Sequence, residues 1–269
     1  MLRASSSDLS ASQTQTLISD QDLLEFVLNI EYLSAEYFLY GAYGRGLDAT
    51  APELTKGGPP PIGGRKANLD PLLQDIFTQF ALMNVGHLRA IYGAVKGFPE
   101  PLLNISTGVF GQLVDAALGQ NLSSPFDVYA NPLNFLLGAD IMSYFTPVAC
   151  VGITPQLQNA NYKSSIFICR DAPIPPYNVK VSDFTDRISD FANRLGKEGI
   201  KSEGIVVPQS EGAEGKTTGN VIAGDKDSLA FERTQRGILR IIYGTGNEHF
   251  PGSFFPNGAN GRIARSFLP

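Results

Sequence analysis

Along residues 68–96, NLDPLLQDIFTQFALMNVGHLRAIYGAVK, one stripe recurs at alternating spacings of three and four: Leu73, Phe77, Phe80, Asn84, His87, Ile91 and Ala94. That period is one face of an amphipathic helix. Asp70-Pro71 predicts its start, with a capping carboxylate ahead of a proline whose missing N–H is not needed there. Lys96-Gly97, followed by Pro99, predicts its end. Asn84 and His87 are polar yet lie on the core-facing stripe. An unsatisfied buried polar group costs about 1–3 kcal/mol, so both must find partners.

A second helix is predicted to begin near Asp20 and to run through LLEFVLNIEYLSAEYFLYGA, residues 23–42, with a stripe of Leu24, Leu28, Glu31, Ala35, Phe38 and Ala42. Glu31 therefore faces inward. At about 100° per residue, Glu25 and Glu36 fall more than about 100° around the helix from it. They are expected on the flank or surface, as are Tyr32, Tyr37 and Tyr40. Residues 44–67, with the run GGPPPIGG, are neither helix nor strand but a long connection. A shorter helix is expected over 106–118. NPLNFLLGADIMSYFTPVACVG, from Asn131, is apolar nearly all round, as a central helix should be. Pro147 should kink or end it. Periodicity leaves the orientation of Asp140 open.

The character of the chain then changes. NYKSSIFICRDAPIPPYNVKV, residues 161–181, has no room for another helix spanning a bundle about 30 Å long, which needs about 20 residues. Two further helices are expected over 182–195 and 234–243, set among glycine-rich segments that hold their shape by wrapping a scaffold. Residues 1–19, rich in Ser, Thr and Gln, read as a mobile arm.

Composition narrows the function classes. Of 269 residues, 43% are hydrophobic and 17% charged, a globular balance. The net charge of −5 and the lack of a basic run argue against nucleic acid. No apolar run is long enough to span a membrane. The N-terminal residues lack the apolar stretch of a secretory leader. Two cysteines, Cys150 and Cys169, exclude a cysteine zinc site and leave either two thiols or one bridge. There is no nucleophile elbow and no phosphate-binding loop. Asn104-Ile-Ser106 and Asn121-Leu-Ser123 are glycosylation sequons.

One chemistry fits the stripes. Helical bundles that bind two metal ions place a Glu on one helix and a Glu-x-x-His pair on its neighbour, because residues i and i+3 share a face. Glu31 and His87 occupy two of those places. Asn84 stands where the second Glu belongs, and a neutral amide is a poor bridging ligand. The cluster reads either as a residual metal site or as a hydrogen-bonded polar cluster left from one, and the second reading is favoured. His249, beside Glu248, lies in a loop and is not favoured as a ligand.

The runs DLLEFVLNIEYLSAEYFLYGAYGRGLD, GGPPPIGGRKANLDPLLQDIFTQFALMNVGHLRAIYGAVKGFPEPLL and IYGTGNEHFPGSFFPNGANGRIARSFL together resemble the plant desiccation-related proteins with a ferritin-like domain. The resemblance runs from about Asp20 to the C-terminus. It implies an all-α, ferritin-like bundle with an irregular glycine-rich extension, a link to dehydration stress, and a secreted or wall-associated setting. Against that family, Asn84 replaces a Glu, and a long helix between the positions of Ser165 and Val179 is missing, with the acidic residues it would have supplied. The expected organisation is an arm (1–19), a truncated bundle (20–170) and an extension (171–269). The expected function is non-enzymatic, by binding or protective interaction, with no cofactor; the alternative is an iron or other divalent metal at Glu31 and His87, as a metal-binding protein or metal-dependent oxidoreductase. A groove left by the missing helix should be covered by the helix at 234–243, by a second protomer or by a protein partner.

Overall fold

The computed structural model describes residues 18–151, 173, 174, 176, 177, 179–220, 224–229 and 231–269, with side chains described outside 143–151 and 173. The expected arm lies almost wholly outside these residues, as do Cys169, the side chain of Cys150 and most of the stretch where a long helix was expected to be missing.

The described chain is helical: α1 (Asp20–Tyr43), the single turn α2 (Leu47–Thr50), α3 (Pro71–Ala94), α4 (Thr107–Leu118), α5 (Pro132–Val151), α6 (Val181–Gly196), α7 (Gln235–Ile242) and α8 (Gly261–Arg265). Between α5 and α6 a two-residue hairpin pairs β1 (Pro173–Ile174) with β2 (Val179–Lys180), Pro173 opposite Lys180. The fold is thus the all-α arrangement that the helical periodicities require.

Local chemistry sets the helix starts. Ser19 and Asp22 close a reciprocal capping box on α1. Asp70 accepts from the Leu73 N–H at the head of α3, and Thr234 accepts from the Gly237 N–H at the head of α7. The end of α3 departs from the sequence reading. It stops at Ala94 on an extended Val95, and the positive-φ Gly97 lies two residues further on. α5 runs through Pro147, which was expected to kink or end it; a proline removes a single ladder bond, and helices held by their other turns carry one.

α1 is the axis of the packing. Every residue from 26 to 39 is buried, not only the expected stripe. α3 lies along one side, α5 along another, and α8 crosses near its start. Phe38 is a core residue, as the stripe requires, and Tyr32 and Tyr37 are core residues too, a correction to their expected place on the flank. The Tyr37 ring stacks on Phe135 of α5 at 4.6 Å and 6°, and its hydroxyl donates to the Phe135 carbonyl at 2.9 Å. Phe77 of α3 meets the same Phe135 edge-on at 4.7 Å. Helices α1 and α5 approach this closely because glycines face the rings. A Cβ on Gly41 would lie 2.0 Å from Phe135 Cζ, and one on Gly138 would lie 2.2 Å from Val128 Cγ2 and 2.3 Å from the Tyr37 hydroxyl.

The glycine-rich segments wrap this scaffold. Ile62 of the 44–67 connection exchanges backbone bonds with Leu103 and Ile105, and Asn104 donates to the Phe254 carbonyl. The C-terminal strand of chain is pinned to α1 by Arg262 on Asp22 at 2.8 Å. α7 buries Ile238, Leu239, Ile241 and Ile242. It packs on α6, α5 and α8 and does not run along α3, whose outer face keeps Leu72 and Leu82 in solvent. Asp140 is half-buried and lines a cavity of about 30 Å³ between α5 and α6.

Overpacking a close helix contact costs about 1–3 kcal/mol. Gly138→Ala is therefore expected to destabilise the chain by about that much in chemical denaturation. Gly86→Ala, which meets nothing within 4 Å on the outer face of α3, should instead stabilise it by roughly 1 kcal/mol or less.

Candidate functional site

Glu31 sits at the middle of α1, where surrounding side chains leave its carboxylate 2% exposed. Its partner comes from α3. His87 Nδ1 lies 3.1 Å from Glu31 Oε2, and the ring is about a third exposed. The sequence stripe thus brings the two helices together at the expected residues, but with a drift. Val85 and Leu88, not His87 and Ala94, carry the buried face in the second half of α3. His87 lies at the margin of the core, where one edge of the ring reaches Glu31 and the other reaches water.

Asn84 is buried and makes its hydrogen bond away from the pair. Its side-chain N–H donates to the Phe80 carbonyl one turn back, at 2.8 Å. A helix-interior amide satisfied in this way turns along its own helix. Among the described residues, no three His, Cys, Asp or Glu side chains converge as metal ligands would. His249 stands apart in its loop: its Nε2 is 3.8 Å from Glu248, whose carboxylate is already held by Arg240 at 2.7 Å and Arg236 at 3.1 Å.

The residue that sequence reasoning misplaced is Glu36. It is fully buried, where a flank or surface position was expected, and its carboxyl meets that of Glu100, from the segment after α3. A signal was present: residues 23–42 carry apolar side chains on all sides, so no angle around α1 is a free flank. Glu100, between Pro99 and Pro101, carries no comparable signal. Glu25 does lie at the margin, half-buried, and accepts from the Gly97 N–H at 3.2 Å. Tyr32 is buried too, with its hydroxyl donating to the Leu54 carbonyl at 2.6 Å and meeting the Tyr92 hydroxyl at 2.6 Å.

The hydrogen bond to Glu31, reinforced by its charge and opposed by partial burial, holds the His87 pKa above its ordinary 6.5. A raised value means that the folded chain keeps this proton more tightly than the unfolded one. The stability from the pair is complete below pH 6.5 and is lost as pH rises through the folded His87 value. In an NMR titration, the His87 ring should titrate above 6.5 in the native chain and move down in Glu31→Gln. A native His87 midpoint at or below 6.5 would show that the pair does not form.

Three comparisons bear on what this site belongs to. Residues 19–167 match the family model described as ferritin-like domain. The chain is 45% identical to the ferritin-like catalase Nec2 of Nesocodon mauritianus over 268 residues, covering 93% of this chain and 86% of the relative. It is 41% identical to the desiccation-related protein PCC13-62 of Craterostigma plantagineum, covering 91% of this chain and 84% of the relative. No solved structure matches. A matched domain spanning more than half of the chain, and full-length relatives of this identity, place the protein in the ferritin-like family of desiccation-related proteins.

Proposed function

We propose that the chain is a stress-associated ferritin-like protein without enzymatic activity, in which Glu31 and His87 tie α1 to α3 in place of a metal centre, and which acts through binding or protective interaction. The observation that carries this reading is the orientation of Asn84. A two-metal bundle site uses a Glu from each of two helices and a Glu-x-x-His pair from each of the others. The described residues offer one carboxylate and one imidazole, already bonded to each other, and the side chain at the bridging position bonds to its own helix. This donor set does not fit a pair of metal ions. The relationship to a desiccation-related protein supports the stress association.

A second reading draws on the relative named as a catalase: a metal-binding protein or metal-dependent oxidoreductase that uses Glu31 and His87 as a residual site, with iron or another divalent metal. Two ligands leave most coordination positions to water, so the two readings separate in affinity. After exposure to Fe(II), Mn(II) and Zn(II) and gel filtration, elemental analysis should find well under one metal per chain, the same in His87→Ala, and no breakdown of peroxide. Stoichiometric metal that is lost in His87→Ala would overturn the first reading in favour of the second.

Asn84→Glu provides a complementary prediction. A carboxylate cannot donate to the Phe80 carbonyl and must leave its position along the helix. The variant should lose about 1–3 kcal/mol of stability without metal, the penalty of an unsatisfied buried group. Divalent metal should restore part of that loss in thermal melts, and only in this variant.

A further inference from the structure

Glu36 and Glu100 are 0% and 2% exposed, and their carboxyls are close enough to act on each other electrostatically. Glu36 Oε1 accepts from the Leu47 N–H at 3.0 Å. The remaining three oxygens, Glu36 Oε2 and both of Glu100, have no N–H or O–H donor from any other group. Two bare carboxylates in contact, out of water and without donors, would repel each other with nothing to screen them. One proton between them resolves this, since the acid O–H donates to the neighbouring carboxylate.

The groups around the pair do not supply a compensating charge. Asp48 of α2, itself exposed, adds to the repulsion on both acids. Tyr40 of α1 senses both carboxyls, and Tyr32 of α1 and Tyr92 of α3 sense Glu100. Every titratable side chain that shifts either acid is itself an acid. Burial comes first in raising both, and both are held well above the ordinary carboxyl value of 4.5.

The pair also sits at a junction of chain. The 44–67 connection closes over it: a Cβ on Gly46 would lie 2.2 Å from Glu36 Oε2, and one on Gly58 would lie 2.4 Å from the Glu100 carbonyl. Leu47 is bonded to Glu36, and the Glu100 N–H donates to the Thr55 carbonyl at 2.9 Å. The same connection holds the Leu54 carbonyl against the Tyr32 hydroxyl.

We propose that Glu36 and Glu100 share a single proton and act as a pH-operated latch, which fastens the 44–67 connection over α1 and releases it when the proton is lost. The unfolded or opened chain gives up this proton near 4.5, whereas the closed chain retains it. Closure is therefore strongest below that pH and weakens as pH rises through neutrality, by up to tenfold in the closing equilibrium per pH unit for one proton.

Hydrogen exchange of peptides covering 44–67, corrected for the intrinsic pH dependence of exchange, tests the latch. In the native chain, the opening equilibrium should rise with pH towards that tenfold limit. In Glu100→Gln and in Glu36→Gln, the amide donates the bridging bond without titrating, and the response should flatten. His87→Gln should keep it, which separates the latch from the Glu31 pair. No pH response in the native chain, or a response in both glutamine variants as large as that of the native chain, would overturn the proposal. Should a variant fail to fold, the infrared carbonyl band of a protonated carboxylic acid decides on the native chain: present at neutral pH it supports the shared proton, and absent it overturns it.

Discussion

A helix buried on every side cannot turn its polar side chains to water, and this constraint organises the rest of the chain around α1. Asn29, Glu31 and Glu36 are all buried, and each draws its partner from a different part of the molecule. Asn29 exchanges bonds with the backbone of Asn260, 231 residues away, at 2.9 and 2.7 Å. Glu31 takes His87 from α3, and Glu36 takes the Leu47 N–H and the Glu100 carboxyl. Burying an unpaired polar group is penalised more heavily than a typical hydrogen bond rewards, so these partners fix register as much as they add stability. Apolar packing brings the C-terminal extension, α3 and the 44–67 connection to α1; its polar side chains decide where along α1 each one stops.

The helices were legible because their signals are local. Period, N-cap and proline position mark α1, α3, α4, α5, α6 and α7 in the sequence within a few residues of where they stand. The placement of Glu31 opposite His87 was legible too, because both lie on stripes that face each other. Glu36 was not, since the angular argument that separates it from Glu31 assumes that a helix has a wet side. Whether it does depends on what the glycine-rich segments cover, and those segments carry no period. The same gap hides Glu100 and the bond from Asn29 to Asn260: they are long-range pairings made by irregular backbone.

Asn84 shows a different limit. Its position on the stripe was read correctly, and so was its need for a partner, yet sequence spacing points to residues on the facing helix. The amide found an acceptor four residues back on its own helix instead. An amide can do this because it carries a donor. A glutamate at that position has only acceptors and would have to look across to the neighbouring helix. An Asn at this place therefore differs from the Glu of a two-metal bundle in the direction of its side chain as well as in its charge.

Two carboxylates five residues apart on one helix thus meet opposite electrostatic fates. Glu31 faces a ring that can take a proton and that has one edge in water, so the charge on the acid is answered by a cation. Glu36 faces another acid where no water reaches, so its charge is answered only by suppressing it. Both arrangements hold a proton more tightly in the folded chain than in the unfolded one, and both loosen as pH rises. They differ in which contact weakens. Losing the proton from His87 leaves a neutral imidazole that can still donate to Glu31, so α1 and α3 keep a bond. Losing the proton from the Glu36 and Glu100 pair leaves two like charges with no donor between them, so attraction becomes repulsion. Of the two, only the second can drive chain apart, and it lies under the 44–67 connection, which is bonded to α1 at Leu47, Leu54 and Ala67.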